Sequence, residues 1–453
     1  MTHAWKTLLA VSLGVIVVNI DYWSVAVALP DMAKQFTVSA VSLDWVISAY
    51  IISFCATMSI AGRLGDIFGR KKLLLIGTIL FGLFSIWVGL CKSIEMIIMA
   101  RVALGIGAGL IYPLSTAVLG DATPTNTLTK MLGLLTGIGA LGAAIGPVVG
   151  GILTESLGWP WIFFLNAPIA VFAFCMVLFG TSESKDSTTT TKIDYLGILF
   201  LLGGIISLAM WIAKINIWGV TSIQSIIIAA CTAISFCLFV KWEQRTANPL
   251  INISLFKNRT FLGFVSCGSL SNLFWALAIF TTTIVLQKVF SYDPLKAGLF
   301  FLSLSGTVAI SSFFLSRVIA CIGEKRTMIL SLLLQGVGGY ILWNQNDNTG
   351  ILIGLAIAGP GCGWGFSIAL VGSIISLPKN AIGLASSAGL TVVVMTGGIG
   401  VTLAGAVIES FSKGQTIHDG TSASYVTGSI VCFFAAVLAL SIIPRKMSGN
   451  ANT

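Results

Sequence analysis

Apolar residues in this chain do not recur at an interval. They run on in stretches as long as a bilayer is thick, and the polar residues collect in short breaks between them. About 20 apolar residues suffice for a helix to cross hydrocarbon. A segment in lipid must satisfy its own backbone hydrogen bonds, so such runs predict helices. Read between the breaks, they predict spans near 7–30, 45–61, 73–91, 96–119, 131–154, 161–180, 194–213, 222–240, 260–287, 296–316, 327–343, 350–377, 381–408 and 425–443. The expectation is an all-α polytopic membrane protein with fourteen transmembrane helices.

Composition agrees, at 56% apolar and 9% charged with a mean hydropathy of +0.98. A soluble domain carries about a quarter charged residues. A net charge of +9 would suggest a nucleic-acid partner in a soluble protein. Here the basic residues occupy the breaks between spans, so the bilayer is the expected partner and nucleic acid is not. With the N-terminus inside, eighteen Lys and Arg fall on the cytoplasmic side, Arg70, Lys71, Lys72, Lys325 and Arg326 among them, and six outside. That split follows the positive-inside rule and places both termini in the cytoplasm. Lys6 and the apolar run ending in Ala26-Val27-Ala28 resemble a signal peptide, but the run continues through Asp21 to Pro30 and reads as a retained first span. The nine cysteines lie in or beside apolar segments without a C-x-x-C pair, as packing residues rather than disulfides or metal ligands. The two histidines, His3 and His418, fall near a terminus and in a polar break, so no histidine-based metal site or intramembrane relay is expected.

A shift of 254 residues aligns three separate regions. Arg63 and Gly69 fall on Arg317 and Gly323; Gly105, Gly107 and Gly109 on Gly359, Gly361 and Gly363; Gly146, Gly151, Glu155 and Ser156 on Gly400, Gly405, Glu409 and Ser410. The first six spans thereby pair with the last six in the same orientation, a parallel repeat whose substrate site is expected between the halves at mid-membrane. The predicted organisation is a six-helix bundle over 1–181, a linker with two inserted helices over 182–255, and a second six-helix bundle over 256–453. The linker Thr181–Lys192 (TSESKDSTTTTK) has a loop composition.

The break after span 2 reads Gly62-Arg63-Leu64-Gly65-Asp66-Ile67-Phe68-Gly69-Arg70-Lys71-Lys72. Its glycines allow a tight turn, and its acid and bases can pair in one conformation and part in another. This pattern resembles the signature loop of the major facilitator superfamily. Span 5 carries Gly133-x8-Gly142-x3-Gly146-Pro147-x2-Gly150-Gly151, which is similar to that family's antiporter motif. Read from residues alone, small side chains let helices approach closely, and Pro147 removes one helix hydrogen bond. Span 1 ends Asp21-Tyr22-Trp23-Ser24-Val25-Ala26-Val27-Ala28-Leu29-Pro30, resembling the D-x-T-x-V-N-V-A-L-P motif of fourteen-span drug:proton antiporters but departing at Trp23 and Ala26. Glu243, Asn248-Pro249-Leu250 and Leu255-Phe256-Lys257-Asn258-Arg259 fit the same branch. The resemblance covers the whole chain. It implies two rocking bundles, a bacterial inner-membrane location, monomers, and a proton gradient rather than a cofactor as energy source.

Asp21 lies about 15 Å inside span 1, where a carboxylate is costly and usually marks an ion or proton path. Arg101 is the other clearly intramembrane charge, about 9 Å inside span 4, and both fall in the outer half of the first repeat. The resemblance implicates the span 4 arginine in proton transfer. Burial favours the neutral acid and a nearby guanidinium the carboxylate, so a movement that changes their separation can bind and release a proton; a static buried pair is the other reading. The shift of 254 places Trp275 opposite Asp21 and Leu355 opposite Arg101, so the charges occur in one half only. Tyr22, Trp23, Asn272, Trp275, Gln287 and Trp364 are the candidates for the substrate cavity, with packing as the alternative for each.

The expected function is secondary active transport, a proton-coupled multidrug-type export of small amphipathic molecules. The alternative is an exporter or facilitator of one metabolite or siderophore on the same fold. An enzyme is not expected: the spans hold no histidine, no G-x-x-x-x-G-K-[ST] phosphate loop is present, and the breaks are too short for a catalytic domain.

Overall fold

A computed structural model describes residues 3–38, 43–185, 194–219, 221–246, 249, 253–344, 347–376, 382–412 and 416–444. Asn248 and Leu250 of the Asn-Pro-Leu motif lie outside the described residues. Among the described residues the chain forms fourteen long helices. The first six are α1 (His3–Phe36), α2 (Asp44–Phe68), α3 (Arg70–Leu90), α4 (Ile94–Asp121), α5 (Thr125–Ser156) and α6 (Pro160–Gly180). Two follow, α7 (Tyr195–Trp218) and α8 (Ile223–Glu243). The last six are α9 (Arg259–Ile284), α10 (Pro294–Ile322), α11 (Glu324–Trp343), α12 (Asn348–Ile375), α13 (Ile382–Ser412) and α14 (Ile417–Ile442). Among the described residues, twelve of these are long and apolar enough to cross a membrane. The others are α7, apolar over Tyr195–Leu208, and α11, which opens on Glu324, Lys325 and Arg326.

The polar breaks do their work as caps. Ser93, Asp194, Asn258, Asp293 and Asp347 each accept a backbone N–H at the start of the next helix, satisfying donors that the helix cannot. Thr416 and Asp419 form a capping box, so α14 starts at Ile417 and takes in His418, which the sequence reading left in a break. The loop expected after span 2 is shorter than its composition suggests. Residues 62–68 complete α2 and 70–72 open α3, leaving Gly69 as the one break, with φ +106°.

Within the first six helices, α1 packs on α4, α5 and α6, while α2 packs on α4, and α3 on both α4 and α6. The last six repeat every one of these pairings eight helices later. The repeat reaches atomic detail. A Cβ on Gly105 would fall 2.5 Å from the Tyr50 carbonyl oxygen and one on Gly359 2.4 Å from that of Leu304, the residue 254 positions on. Lys71 Nζ donates to the carbonyls of Leu178 and Thr181 at the end of α6, and Lys325 Nζ to those of Leu440 and Ile443 at the end of α14.

The halves meet along α5 against α10 and α13 against α2. The inserted pair packs across this seam: Leu201, Ile205 and Phe239 cluster with Cys55 and Ala56 of α2 and with Val394 of α13. We call the end of the bundle where α1 begins the near face. Strict up-down alternation brings the start of α5 and the end of α12 there as well. Leu128, Met131, Leu132 and Leu135 of α5 share one apolar cluster with Phe366, Leu370, Val371 and Ile374 of α12, so apolar side chains of both halves pack together at this face, here called the apolar seal.

Candidate functional site

Asp21 and Arg101 are both buried, and their side chains meet with Nη1 2.6 Å from Oδ2. Each charge has further partners, as an ion removed from water requires. Asn166 of α6 donates through Nδ2 to Asp21 Oδ1 at 2.9 Å and to Ser85 Oγ of α3 at 3.3 Å. Arg101 donates through Nε to the Val46 carbonyl oxygen at 3.0 Å. Its guanidinium lies 4.1 Å from the centre of the Tyr50 ring and 5.9 Å from that of Phe163. The centre thus ties α1, α2, α3, α4 and α6 together inside the first half. Sequence reasoning missed Asn166, Ser85 and Tyr50. The available signal for Asn166 was an amide in the middle of an otherwise apolar span.

Asp21 itself does not face the gap between the halves. Its helix neighbours do: Tyr22 and Trp23 line a cavity of about 100 Å³ with Phe54, Tyr112, Thr136, Asn272, Trp275, Phe366 and Val394. The cavity sits at mid-helix height, adjoining the apolar seal through Phe366. Pockets that enclose drug-sized ligands measure roughly 300–1,000 Å³, so cargo of that size requires this gap to widen. A layered contact connects cavity and ion pair: the Tyr22 and Tyr50 ring centres are 6.2 Å apart, and Tyr50 carries the guanidinium.

The structure divides the remaining cavity candidates. Asn272 lines the cavity and donates to the Val393 carbonyl oxygen at 2.8 Å, and Trp275 lines it as well. Trp364 does not. It is buried in the core of the second half and donates through Nε1 to the Ser311 carbonyl oxygen at 2.9 Å. Gln287 is also outside the lining, in a π-helical turn over Val285–Val289 beyond the end of α9.

The glycines of α5 hold α1. A Cβ at Gly142 would sit 2.7 Å from the Ile16 carbonyl oxygen, at Gly146 2.9 Å from Trp23 Cβ, and at Gly150 2.8 Å from Ser24 Cβ. Elsewhere on α5, Gly133 faces Leu315, Gly137 faces Ser312, and Pro147 lies against Gly298, all in α10. Gly151 is buried in the same helix, which runs unbroken through Pro147. α5 therefore lies between the helix that carries Asp21 and the second half.

At the near face, Arg70 binds Asp66 through Nη2 at 2.8 Å and reaches Asp121 at the end of α4 through Nη1. Gly65 packs against Leu114, which brings α2 close to α4. Gly62 and Arg63 belong to the last turns of α2. Glu183 of the linker accepts the backbone N–H groups of Lys71 at 3.0 Å and Lys72 at 3.1 Å, so the linker caps α3. A carboxylate at a helix N-terminus is favoured by the helix dipole.

The Major Facilitator Superfamily profile matches residues 11–306 and again 260–453. The Multidrug resistance protein Stp of Mycobacterium tuberculosis is 30% identical over 385 residues, covering 84% of this chain and 71% of that protein. The Drug efflux pump JefA of the same organism is 30% identical over 365 residues, 79% of this chain and 71% of its own. The Tetracenomycin C resistance and export protein of Streptomyces glaucescens is 26% identical over 366 residues, 78% and 67% respectively. Among solved structures, the human organic anion transporter MFSD10 (TETRAN) superimposes with a TM-score of 0.69 at 16% identity, over 96% of this chain and 99% of that one, a likeness of fold.

Proposed function

Because the chain belongs to the major facilitator superfamily, we propose that this secondary transporter is a proton-driven, multidrug-type exporter of small amphipathic molecules. It works by alternating access in a bacterial inner membrane, with the near face and both termini in the cytoplasm. The names of its relatives, a multidrug resistance protein and a drug efflux pump, support that class of cargo.

The observation that carries the coupling is the buried Asp21–Arg101 pair, one and two helix positions away from cavity-lining Tyr22 and Trp23. A proton on Asp21 cancels the carboxylate's charge and loosens its hold on Arg101, which keeps the Val46 carbonyl and the Tyr50 face. α1 is then held to α4 less tightly and can shift along the glycine face of α5. That shift moves Tyr22 and Trp23 in the cavity and, through α5, loads the contact with α10. Rocking of the halves about these seams breaks the apolar seal at the near face and opens the cavity to the cytoplasm. Cargo enters there, and release of the proton inward restores the pair and the seal. Asp66, Arg70 and Asp121 act as a near-face ion cluster whose partners change as the halves rock. The monomer is the working unit in this scheme.

The test uses inside-out membrane vesicles with an acidic lumen. Dye or drug uptake coupled to alkalinisation of the lumen, recorded with a pH-sensitive probe, is expected for the wild type and lost in Asp21→Asn. Undiminished gradient-driven uptake by Asp21→Asn would remove the pair from the mechanism. A panel of antimicrobials applied to deletion and overexpression strains identifies the cargo.

A further inference from the structure

Taking up a proton changes what a carboxyl group needs from its surroundings. An ionised carboxylate only accepts hydrogen bonds, whereas the protonated acid must also donate one. In a site closed to water, an unmet donor is costly, so a proton carrier there needs a neighbour able to serve both forms. Arg101 cannot: a guanidinium has donors and no acceptor.

Asn166 can. Its Nδ2 donates to Asp21 Oδ1 at 2.9 Å and to Ser85 Oγ at 3.3 Å, while its Oδ1 is buried without a hydrogen-bond partner. An amide held at both ends would be pinned in place; this one is held at one end. Turning it over about its terminal bond exchanges Nδ2 for Oδ1 beside Asp21. The Ser85 hydroxyl, which now accepts from the amide, can rotate and donate to it instead. Each orientation leaves one buried amide atom unmet, and the state of Asp21 decides between them.

We infer that Asn166 is a positioning residue for Asp21, a carboxamide switch whose nitrogen serves the ionised acid and whose oxygen serves the protonated one. On protonation an O–H bond forms at Asp21 Oδ1 with a proton from the outside water. The hydrogen bond from Asn166 Nδ2 to that atom breaks, the amide turns over with both its protons, and Asp21 donates to Asn166 Oδ1. The reverse occurs when the proton leaves. Among the described residues, the charged and titratable groups facing Asp21 are Arg101 from α4 and Tyr50 from α2, while Tyr22 on its own helix turns toward the cavity. α3 and α6 bring the neutral Ser85 and Asn166, and α5 packs on this stretch through Gly150. Among these only Asn166 contacts Asp21 with both a donor and a free acceptor on one side chain.

This inference rests on the proton-coupled reading above, and the experiment separates the two. Infrared difference spectra of the purified, reconstituted protein are recorded between high and low pH. The carboxylic C=O band of Asp21 is identified by its loss in Asp21→Asn. In Asn166→Leu, or Asn166→Ala where leucine prevents folding, this band is expected at the frequency of a carboxyl that donates no hydrogen bond. Asn166→Ser keeps a donor and an acceptor and is expected to hold the band near the wild-type position. Gradient-driven uptake is expected to fall about tenfold in the leucine and alanine variants, the loss of one buried hydrogen bond, with partial rescue by serine. A band that appears at low pH but does not move in Asn166→Leu or Asn166→Ala overturns the switch while leaving proton coupling intact. Failure of any Asp21 band to appear at low pH, with Asp21→Asn still transporting, overturns the coupling itself.

Discussion

The Asp21 carboxylate and the Arg101 guanidinium, 80 residues apart in sequence, meet at 2.6 Å where neither is reached by the central cavity. Breaking a buried pair by removing one partner costs roughly 3–5 kcal/mol, because the other charge is stranded. The two partners here are not equivalent. Arg101 is also held by the Val46 carbonyl and stacked on Tyr50, whereas Asp21 retains only Asn166. Asp21→Asn therefore leaves Arg101 without its counter-charge but still held by the Val46 carbonyl and the Tyr50 face, and Arg101→Ala leaves both an unpaired acid and a void. Thermal unfolding of the detergent-solubilised protein is expected to rank Arg101→Ala about 3–5 kcal/mol below wild type, with Asp21→Asn clearly milder. Equal losses would mean that the pair does not have this geometry.

The glycines of α5 make a second prediction. Gly142→Ala places a Cβ 2.7 Å from the Ile16 carbonyl oxygen and Gly150→Ala one 2.8 Å from Ser24 Cβ, distances that force α1 outward. Overpacking of this kind costs about 1–3 kcal/mol. Gly306 in α10 has nothing within 4 Å of its Cβ position. Gly306→Ala is expected to be neutral or to stabilise by up to ~1 kcal/mol from helix propensity alone. Unfolding temperature and vesicle uptake should both fall in the first two variants and hold in the third.

What the sequence revealed follows from what an apolar helix can and cannot encode. Asp21 and Arg101 stood out because charge inside a lipid-length run has few structural explanations. Gly105 and Gly359 gave away the repeat because close approach to the Tyr50 and Leu304 carbonyls permits no side chain. Direction around a helix was not legible. A span apolar on every side has no polar face to orient it, so Trp275 in the cavity and Trp364 in the core read alike. The start of α14 was hidden for a different reason. Thr416 and Asp419 cap a helix with residues that also make loops. Glu183 was likewise lost in a run of serine and threonine, although its carboxylate sits on the first turn of α3.

Gly69 and Gly323 test how alike the two halves are at the near face. Both have positive φ, +106° and +79°, in a region that side chains enter at a cost of about 1–3 kcal/mol. Their surroundings differ. A Cβ at Gly69 would meet the Glu183 carboxylate at 2.9 Å, whereas Gly323 has nothing within 4 Å. Gly69→Ala should therefore cost more than Gly323→Ala, since it also dislodges the linker from the start of α3. Denaturation of the two variants side by side decides the matter. A Gly69→Ala penalty that shrinks when combined with Glu183→Ala would place the difference at this contact.

The cavity residues should separate by phenotype from the core residue that resembles them. Trp275 and Tyr22 line the gap between the halves, and Trp275 Nε1 is buried without a hydrogen-bond partner, a donor facing no fixed acceptor. Trp364 Nε1 already binds the Ser311 carbonyl within a packed core. Removing a tryptophan from such a core costs about 3–5 kcal/mol. Trp364→Ala is thus expected to lower protein level and unfolding temperature, with all transported compounds affected alike. Tyr22→Ala and Trp275→Ala should leave the amount of folded protein nearly unchanged and redistribute resistance among compounds, raising susceptibility to some several-fold and sparing others. Growth inhibition across a drug panel, normalised to membrane protein level, reads both outcomes. A uniform loss in Trp275→Ala, matched by its protein level, would reassign that side chain from cargo contact to packing.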